Sequence, residues 1–184
     1  MKFCSHCGKP VRSAIPAGDN RTRHICDHCP RVHYSNPTLV VGCLPYWGKD
    51  HVLLCERSIE PRLGFWTVPS GFMENGESLE EGAIRETVAE ACAEVEIQRL
   101  FAAFSLPHVN QVYMLFSARL LSQDFEPGDE SEAVRLFHRD EIPWPKLAFR
   151  AVEFALEKYV SEGLESGVHL GRYVRQPGDP WILS

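Results

Sequence analysis

The run Trp66-Thr67-Val68-Pro69-Ser70-Gly71-Phe72-Met73-Glu74-Asn75-Gly76-Glu77, followed by Ser78, Glu81, Arg85-Glu86 and Glu90, decides how this chain is read. Ser78 is suited to cap a helix by accepting from the backbone N–H three residues on, and Glu81 to reach back and complete a capping box. A helix starting near Leu79 is therefore expected. On it Ile84, Val88, Ala91 and Val95 recur at the spacing of one apolar stripe, which predicts that this face is buried and that Glu86 and Glu90 point away from it. These two glutamates lie one turn apart, where like charges cost roughly 0.2–0.5 kcal/mol unless something positive sits between them. A hard divalent cation supplies that charge, since Mg²⁺ prefers oxygen ligands and is held by a few carboxylates together with substrate phosphates and waters. Glu77 is a further candidate ligand just before the helix. Arg85 is placed to pair with a carboxylate and fix its orientation, and the Ser70-Gly71 backbone, with no side chain on Gly71, can approach the ion closely.

Outward from this run, a second constellation opens the chain: Cys4-Ser5-His6-Cys7 and Cys26-Asp27-His28-Cys29. Two C-x-x-C knuckles separated by a hairpin-sized interval predict one Zn²⁺ held by Cys4, Cys7, Cys26 and Cys29. A closed four-sulfur set leaves no open position for catalysis, so the ion is expected to be structural. Disulfides are the alternative. Against them, Cys43, Cys55 and Cys92 sit in apolar surroundings without spaced partners, as in a reducing compartment. His6, His24, His28 and His33 crowd the same region and are not assigned to the metal.

At 184 residues the chain can hold one good-sized core and a small stapled module. No apolar stretch is long enough to span a bilayer, and Met1-Lys2-Phe3-Cys4 runs into a metal knuckle rather than a signal peptide, which points to a cytoplasmic protein without a membrane partner. Residues 1–35 carry six Lys/Arg against two Asp, a formal +4, so the remainder carries −10 of the overall −6. Four thiolates and one Zn²⁺ would lower that +4 by two. The first module is then too weakly basic to argue for nucleic-acid binding, and the acidic remainder would repel a phosphate backbone. An anionic substrate must arrive with cations.

Asn36-Pro37 reads as a linker, giving segments 1–35, 36–162 and a C-terminal tail 163–184. Strands are expected over 38–46, 51–57, 65–68, 99–104, 111–121 and 134–138, with Lys49-Asp50 turning the first hairpin. A second helix is expected from about Lys146 to Ser161, its stripe formed by Ala148, Val152, Ala155, Leu156 and Tyr159 after the stop at Ile142-Pro143-Trp144-Pro145. A mixed sheet between helices is the natural packing.

The decisive run resembles the Nudix box: Gly71, Glu77, Arg85, Glu86 and Glu90 fit it, while Ala89 stands where the first of two paired glutamates is expected and Cys92 where glycine is expected. The resemblance implies an α/β/α sandwich with a mixed sheet, preceded here by a small zinc ribbon. Ala89 removes one possible ligand and leaves the number of bound ions open. Among ribbon-bearing subgroups, the NADH pyrophosphatases carry Ser-Gln-Pro-Trp-Pro-Phe-Pro after the box, whereas this chain reads Ala103-Phe104-Ser105-Leu106-Pro107-His108-Val109-Asn110. Lys2-Phe3-Cys4, Val40-Val41-Gly42-Cys43, Asp140-Glu141-Ile142-Pro143 and Leu147-Ala148-Phe149 are instead similar to the ADP-ribose and FAD pyrophosphatases.

That similarity implies hydrolysis of a pyrophosphate bond in a small nucleoside diphosphate derivative with Mg²⁺ or Mn²⁺, giving AMP plus ribose 5-phosphate or FMN, by a homodimer. NADH hydrolysis is the alternative. A non-catalytic nucleotide-sensing module is the alternative of another class, with Ala89 as its sign. Glu86 and Glu90 are the expected metal ligands, helped by Glu77. The general base is either Glu86 or a carboxylate from outside the box, Glu132 or its rival Glu130. Arg57 either contacts phosphate or caps a strand end; Trp66 and Phe65 are either sheet core or a shelf for the base; Phe104 and His108 are weaker candidates for substrate contact.

Overall fold

The computed structural model describes residues 1–174 and divides the chain into two compact units, Met1–Pro37 and Thr38–Ser184. In the first unit, strands β1 (Arg12–Ala14), β2 (Arg23–Ile25) and β3 (Val32–His33) form a small antiparallel sheet in that order. Its knuckles are tight turns: Gly8 N donates to Cys4 O at 2.9 Å with Gly8 at φ +71°, and Cys26 N donates to Arg31 O at 2.9 Å. They draw the four thiols together without a disulfide, with Sγ–Sγ distances of 3.6 Å for Cys4–Cys29 and 3.5 Å for Cys7–Cys26.

The second unit contains β4 (Thr38–Trp47), β5 (His51–Arg57), β6 (Trp66–Thr67), β7 (Ser70–Phe72), α1 (Leu79–Ala91), β8 (Val95–Leu106), β9 (Gln111–Leu120), β10 (Ser131–His138), α2 (Arg150–Glu162) and β11 (His169–Arg172). The main sheet runs β10-β5-β4-β9-β8-β11, with β6 on β5 and β7 on β4. It is mixed, because β4–β9 and β8–β11 pair in parallel and the other neighbours antiparallel. Alternation along β4 builds the two layers. Val40 and Leu44 enter the core cluster closed by Ala151, Val152, Ala155, Leu156 and Tyr159 of α2, while Val41 and Cys43 face Ala83 of α1. This is the expected α/β/α sandwich. No helix among the described residues is long and apolar enough to cross a membrane.

Three expectations need correction. The capping box at Ser78 and Glu81 forms as read, but α1 turns a different face inward: Gly82, Ala83, Thr87, Glu90 and Ala91 are buried, whereas Ile84 and Val88 are 38% and 48% exposed. Burying the polar side chain of Thr87 is tolerable because its Oγ1 donates to Ala83 O at 2.8 Å. Val95 is not on the helix at all. Cys92 ends it in the left-handed conformation at φ 47°, and Val95 opens β8. The segment expected as a tail contributes β11, parallel to β8, with Ala102 opposite His169; residues 175–184 lie outside the described residues. Finally, the second helix begins only at Arg150, because Pro143 and Pro145 hold a 3₁₀ turn over Trp144–Lys146 before it.

Candidate active site

A cavity of about 620 Å³ opens where β7, the start of β9 and the N-terminus of α2 meet the inner face of α1. Glu86, Glu90, Glu130, Glu74 and Glu60 give it an acidic lining, and Arg57, Ser70, Gly71 and Gln111 add polar groups. Val40, Ile59, Pro61, Phe72, Val109, Tyr113 and Phe149 supply the apolar wall.

Glu90, expected as a metal ligand but on the face turned away from the core, is instead a buried carboxylate only 6% exposed. Burial pushes its pKa up to about 8, against a 3.3 Å hydrogen bond from Ser70 N and the nearby Arg57 charge; Glu86 and Glu130 push it further up by repulsion. Glu86 folds onto the backbone of Gly71, where an added Cβ would stand 2.4 Å from the Glu86 carboxyl carbon, so any larger residue there would displace that carboxylate. Arg85 binds both oxygens of Glu77 at 2.9 and 2.8 Å, Glu86 at 2.5 Å and Phe72 O at 3.0 Å. The Arg85 contact, with the Glu74 N–H, holds the Glu77 carboxyl down at about 2. Glu77 is thereby an anchor for Arg85 and, through it, for Glu86 and the β7 backbone.

The loop before β10 brings in the third carboxylate. Glu126 N donates to Ala91 O and Gly128 N to Glu90 O, both at 3.1 Å, satisfying carbonyls at the end of α1. Gly128 passes so close that a Cβ would meet Ala89 O at 1.8 Å. This puts Glu130 on the cavity. Glu132, the first choice from sequence, is exposed and off the lining, because the register between β10 and β5 shifts between Ser131 and Ala133 and leaves it without a cross-strand partner.

Arg57 is almost buried, its Nε donating to Pro61 O at 2.8 Å and its guanidinium 5.1 Å from the centroid of the Phe149 ring. Trp66 and Phe104 are not brought to the cavity. Trp66 packs edge-on to Phe137 at 4.8 Å, and Phe104 is covered by Phe154 at 5.0 Å and by Gly171 of β11. Tyr113, Gln111 and Phe149 were missed. Gln111 and Tyr113 sit two apart on one strand and so share a face, a signal the sequence did contain; Phe149 gave none beyond its place at the start of a helix.

Among the five glutamates on the cavity, Glu86, Glu90 and Glu130, with Glu90 buried and its pKa raised, fit a hard divalent cation. They are not drawn as close as the thiols, whose four sulfurs lie within 4.8 Å of one another, the only such group among the described residues. An ion that keeps several waters does not require closer packing. The thiol set fits Zn²⁺, for which Zn–S bonds of about 2.3 Å imply tetrahedral S–S edges of about 3.8 Å. Burial alone would raise Cys4, but the backbone N–H groups of Cys7 and His6, with His33 Nε2 at 3.2 Å, bring it down to about 5, favouring the thiolate that a metal needs.

The family description "NUDIX domain" matches residues 36–157, and a zinc-ribbon family described as "Nudix N-terminal" matches residues 2–35. The chain belongs to the Nudix hydrolase family. A crystal structure of a Nudix hydrolase from Nitrosomonas europaea superposes with a TM-score of 0.89 at 52% identity, covering 94% of this chain and 99% of that one. Curated relatives named NAD-capped RNA hydrolase NudC are 32% identical, in Edwardsiella ictaluri over 70% of this chain and 46% of theirs, and in Chromobacterium violaceum over 77% and 52%. The chain thus spans about half the length of the curated relatives it matches. An ADP-ribose pyrophosphatase from Streptococcus suis, at 23% identity and a TM-score of 0.57 over 73% of this chain and 99% of that one, shares the Nudix fold. Against the Nudix box, the positive φ of Cys92 explains why glycine is expected there.

Proposed function

We propose that this protein hydrolyses the pyrophosphate bond of an adenine dinucleotide or a related nucleoside diphosphate derivative. The observation that carries the reading is the convergence of Glu86, Glu90 and Glu130 on one cavity whose other wall is apolar and aromatic. Glu86 and Glu90 would hold Mg²⁺ or Mn²⁺, which when bound polarises phosphoryl oxygens and acidifies a water. Arg85 keeps Glu86 oriented, the glycine backbone at 71 leaves room for it, and Arg57 offers a guanidinium to a phosphate. Glu130, held by the loop hydrogen bonds to the end of α1, is better placed than Glu132 to take a proton from an attacking water.

The substrate order changes from the one the missing signature suggested. The name carried by the curated relatives favours nicotinamide dinucleotides, so NADH or NAD⁺ moves ahead of ADP-ribose and FAD; an NAD-capped RNA belongs to the same chemical class. A homodimer in the cytoplasm remains part of the proposal. Incubation with NADH, NAD⁺, ADP-ribose and FAD in Mg²⁺ or Mn²⁺, with products resolved by chromatography, tests it. AMP released fastest from NADH or NAD⁺ is the expected result. Faster turnover of ADP-ribose or FAD restores the earlier order, and no AMP from any of them refutes hydrolysis of this class.

A further inference from the structure

Resting on that reading of the cavity, we propose that its end lined by Gln111, Tyr113 and Phe149 is the subsite for a planar heteroaromatic ring that presents an adjacent hydrogen-bond donor and acceptor. Adenine and the carboxamide-bearing ring of nicotinamide have this edge, as does the imide edge of the flavin in FAD.

The fold builds the subsite from three places. Thr38 pairs with Gln111 and Val40 with Tyr113 across the parallel β4–β9 ladder, so the two β9 residues stand on the face covered by α2. Phe149 is at the N-cap of α2, where its backbone is extended (φ −135°, ψ 142°), and its ring lies 6.4 Å from that of Tyr113. On its other contact the Arg57 guanidinium stands 5.1 Å from the ring centroid, so Phe149 is held by two neighbours while remaining only partly buried on the cavity. Val109, from the turn between β8 and β9, completes an apolar slot.

Within this slot Gln111 is the one amide. Among the described residues its side chain makes no hydrogen bond, although it lines the cavity and is half-buried. A primary amide offers a donor and an acceptor side by side, the pattern that matches adenine through its amino group and ring nitrogen. A flat aromatic wall supplies stacking without reading sequence or substituent, so the wall provides affinity and Gln111 the choice of ring. The acidic part of the lining suits a cation and its phosphates, so discrimination between nucleotides falls to Gln111 and the apolar wall.

Calorimetric titration with Mn²⁺ present, using AMP, nicotinamide mononucleotide and inorganic pyrophosphate as separate probes, tests the subsite without requiring turnover. The ratio of nucleotide affinity to pyrophosphate affinity is expected to fall about tenfold in Gln111→Leu, the size of a lost paired hydrogen bond. Phe149→Leu is expected to lower it similarly through lost stacking, and Gln111→Leu carries the test alone if that variant does not fold. A fall confined to AMP assigns the slot to adenine; a fall confined to nicotinamide mononucleotide assigns it to nicotinamide. Ratios within twofold of the parent for both nucleotides in Gln111→Leu overturn the inference. Loss of ratio together with no hydrolysis of any dinucleotide keeps the subsite and removes the enzymatic reading.

Discussion

Glu90→Gln separates stability from activity with opposite signs. An acid whose pKa is raised by folding is held more tightly in its protonated form by the folded chain. Below the ordinary value of 4.5 both states are protonated and folding is unaffected; as pH rises, the unfolded chain ionises first, so stability is lost progressively until the folded pKa of about 8 is passed. Each unit is worth about 1.4 kcal/mol, giving a penalty of roughly 3 kcal/mol at pH 7 and at most about 5 above pH 8. Against a typical total of about 5–15 kcal/mol this is a large fraction. Gln keeps the shape and removes the titration. The variant is therefore expected to be more stable than the parent by up to about 3 kcal/mol at pH 7 without added divalent ion, by less at pH 5.5, and to lose hydrolysis by at least about 10²-fold. Urea unfolding followed by tryptophan fluorescence measures this in the second unit, because all four tryptophans lie beyond residue 37. Added Mn²⁺ should stabilise the parent and not the variant. A Glu90→Gln protein that is less stable at pH 7, or whose advantage does not grow with pH, refutes the buried-carboxylate argument; nearly full activity alongside a dead Glu86→Gln would place the ion elsewhere.

Ala89→Glu adds a carboxylate about 60° round the helix from Glu86 and about 100° from Glu90, on an exposed position, and should lower the metal concentration for half-maximal rate. Cys92→Gly relieves a left-handed residue with an exposed side chain and should raise stability by about 1 kcal/mol in thermal unfolding. Gly71→Ala would thrust a methyl group into the Glu86 carboxylate, so kcat should fall by more than tenfold with little change in circular dichroism. Elemental analysis should find one Zn²⁺ per chain, lost in Cys26→Ser; a zinc-free parent protein would remove the ribbon assignment.

The capping box, most strands and the four-thiol knuckles were legible because each depends on residues close in sequence. The orientation of α1 was not. Apolar periodicity reports which side chains prefer to leave water, and here small or hydrogen-bonded residues, Gly82, Ala83 and Thr87, take the sheet-facing side so that Glu90 can be buried there. Ile84 and Val88 are left outside. β11 escaped because four residues containing a glycine and charged neighbours carry little strand signal, and its pairing with β8 spans more than sixty residues of sequence. Phe104 looked like a candidate for substrate contact until β11 and α2 covered it. The choice between Glu130 and Glu132 turned on a register shift that only cross-strand pairing reveals.

The two hydrogen bonds that tie Glu126 and Gly128 to the last carbonyls of α1 divide the connection between β9 and β10 into unequal halves. From 122 to 125 the chain runs before that fastening, so residues can be inserted there, or a reporter tag grafted, while Glu90 and Glu130 keep their spacing. From 126 to 130 every residue is a ruler mark between two carboxylates, and a single insertion or deletion changes the distance across which a cation must be shared. Natural length variation and engineered loops should therefore collect in the first half and be absent from the second.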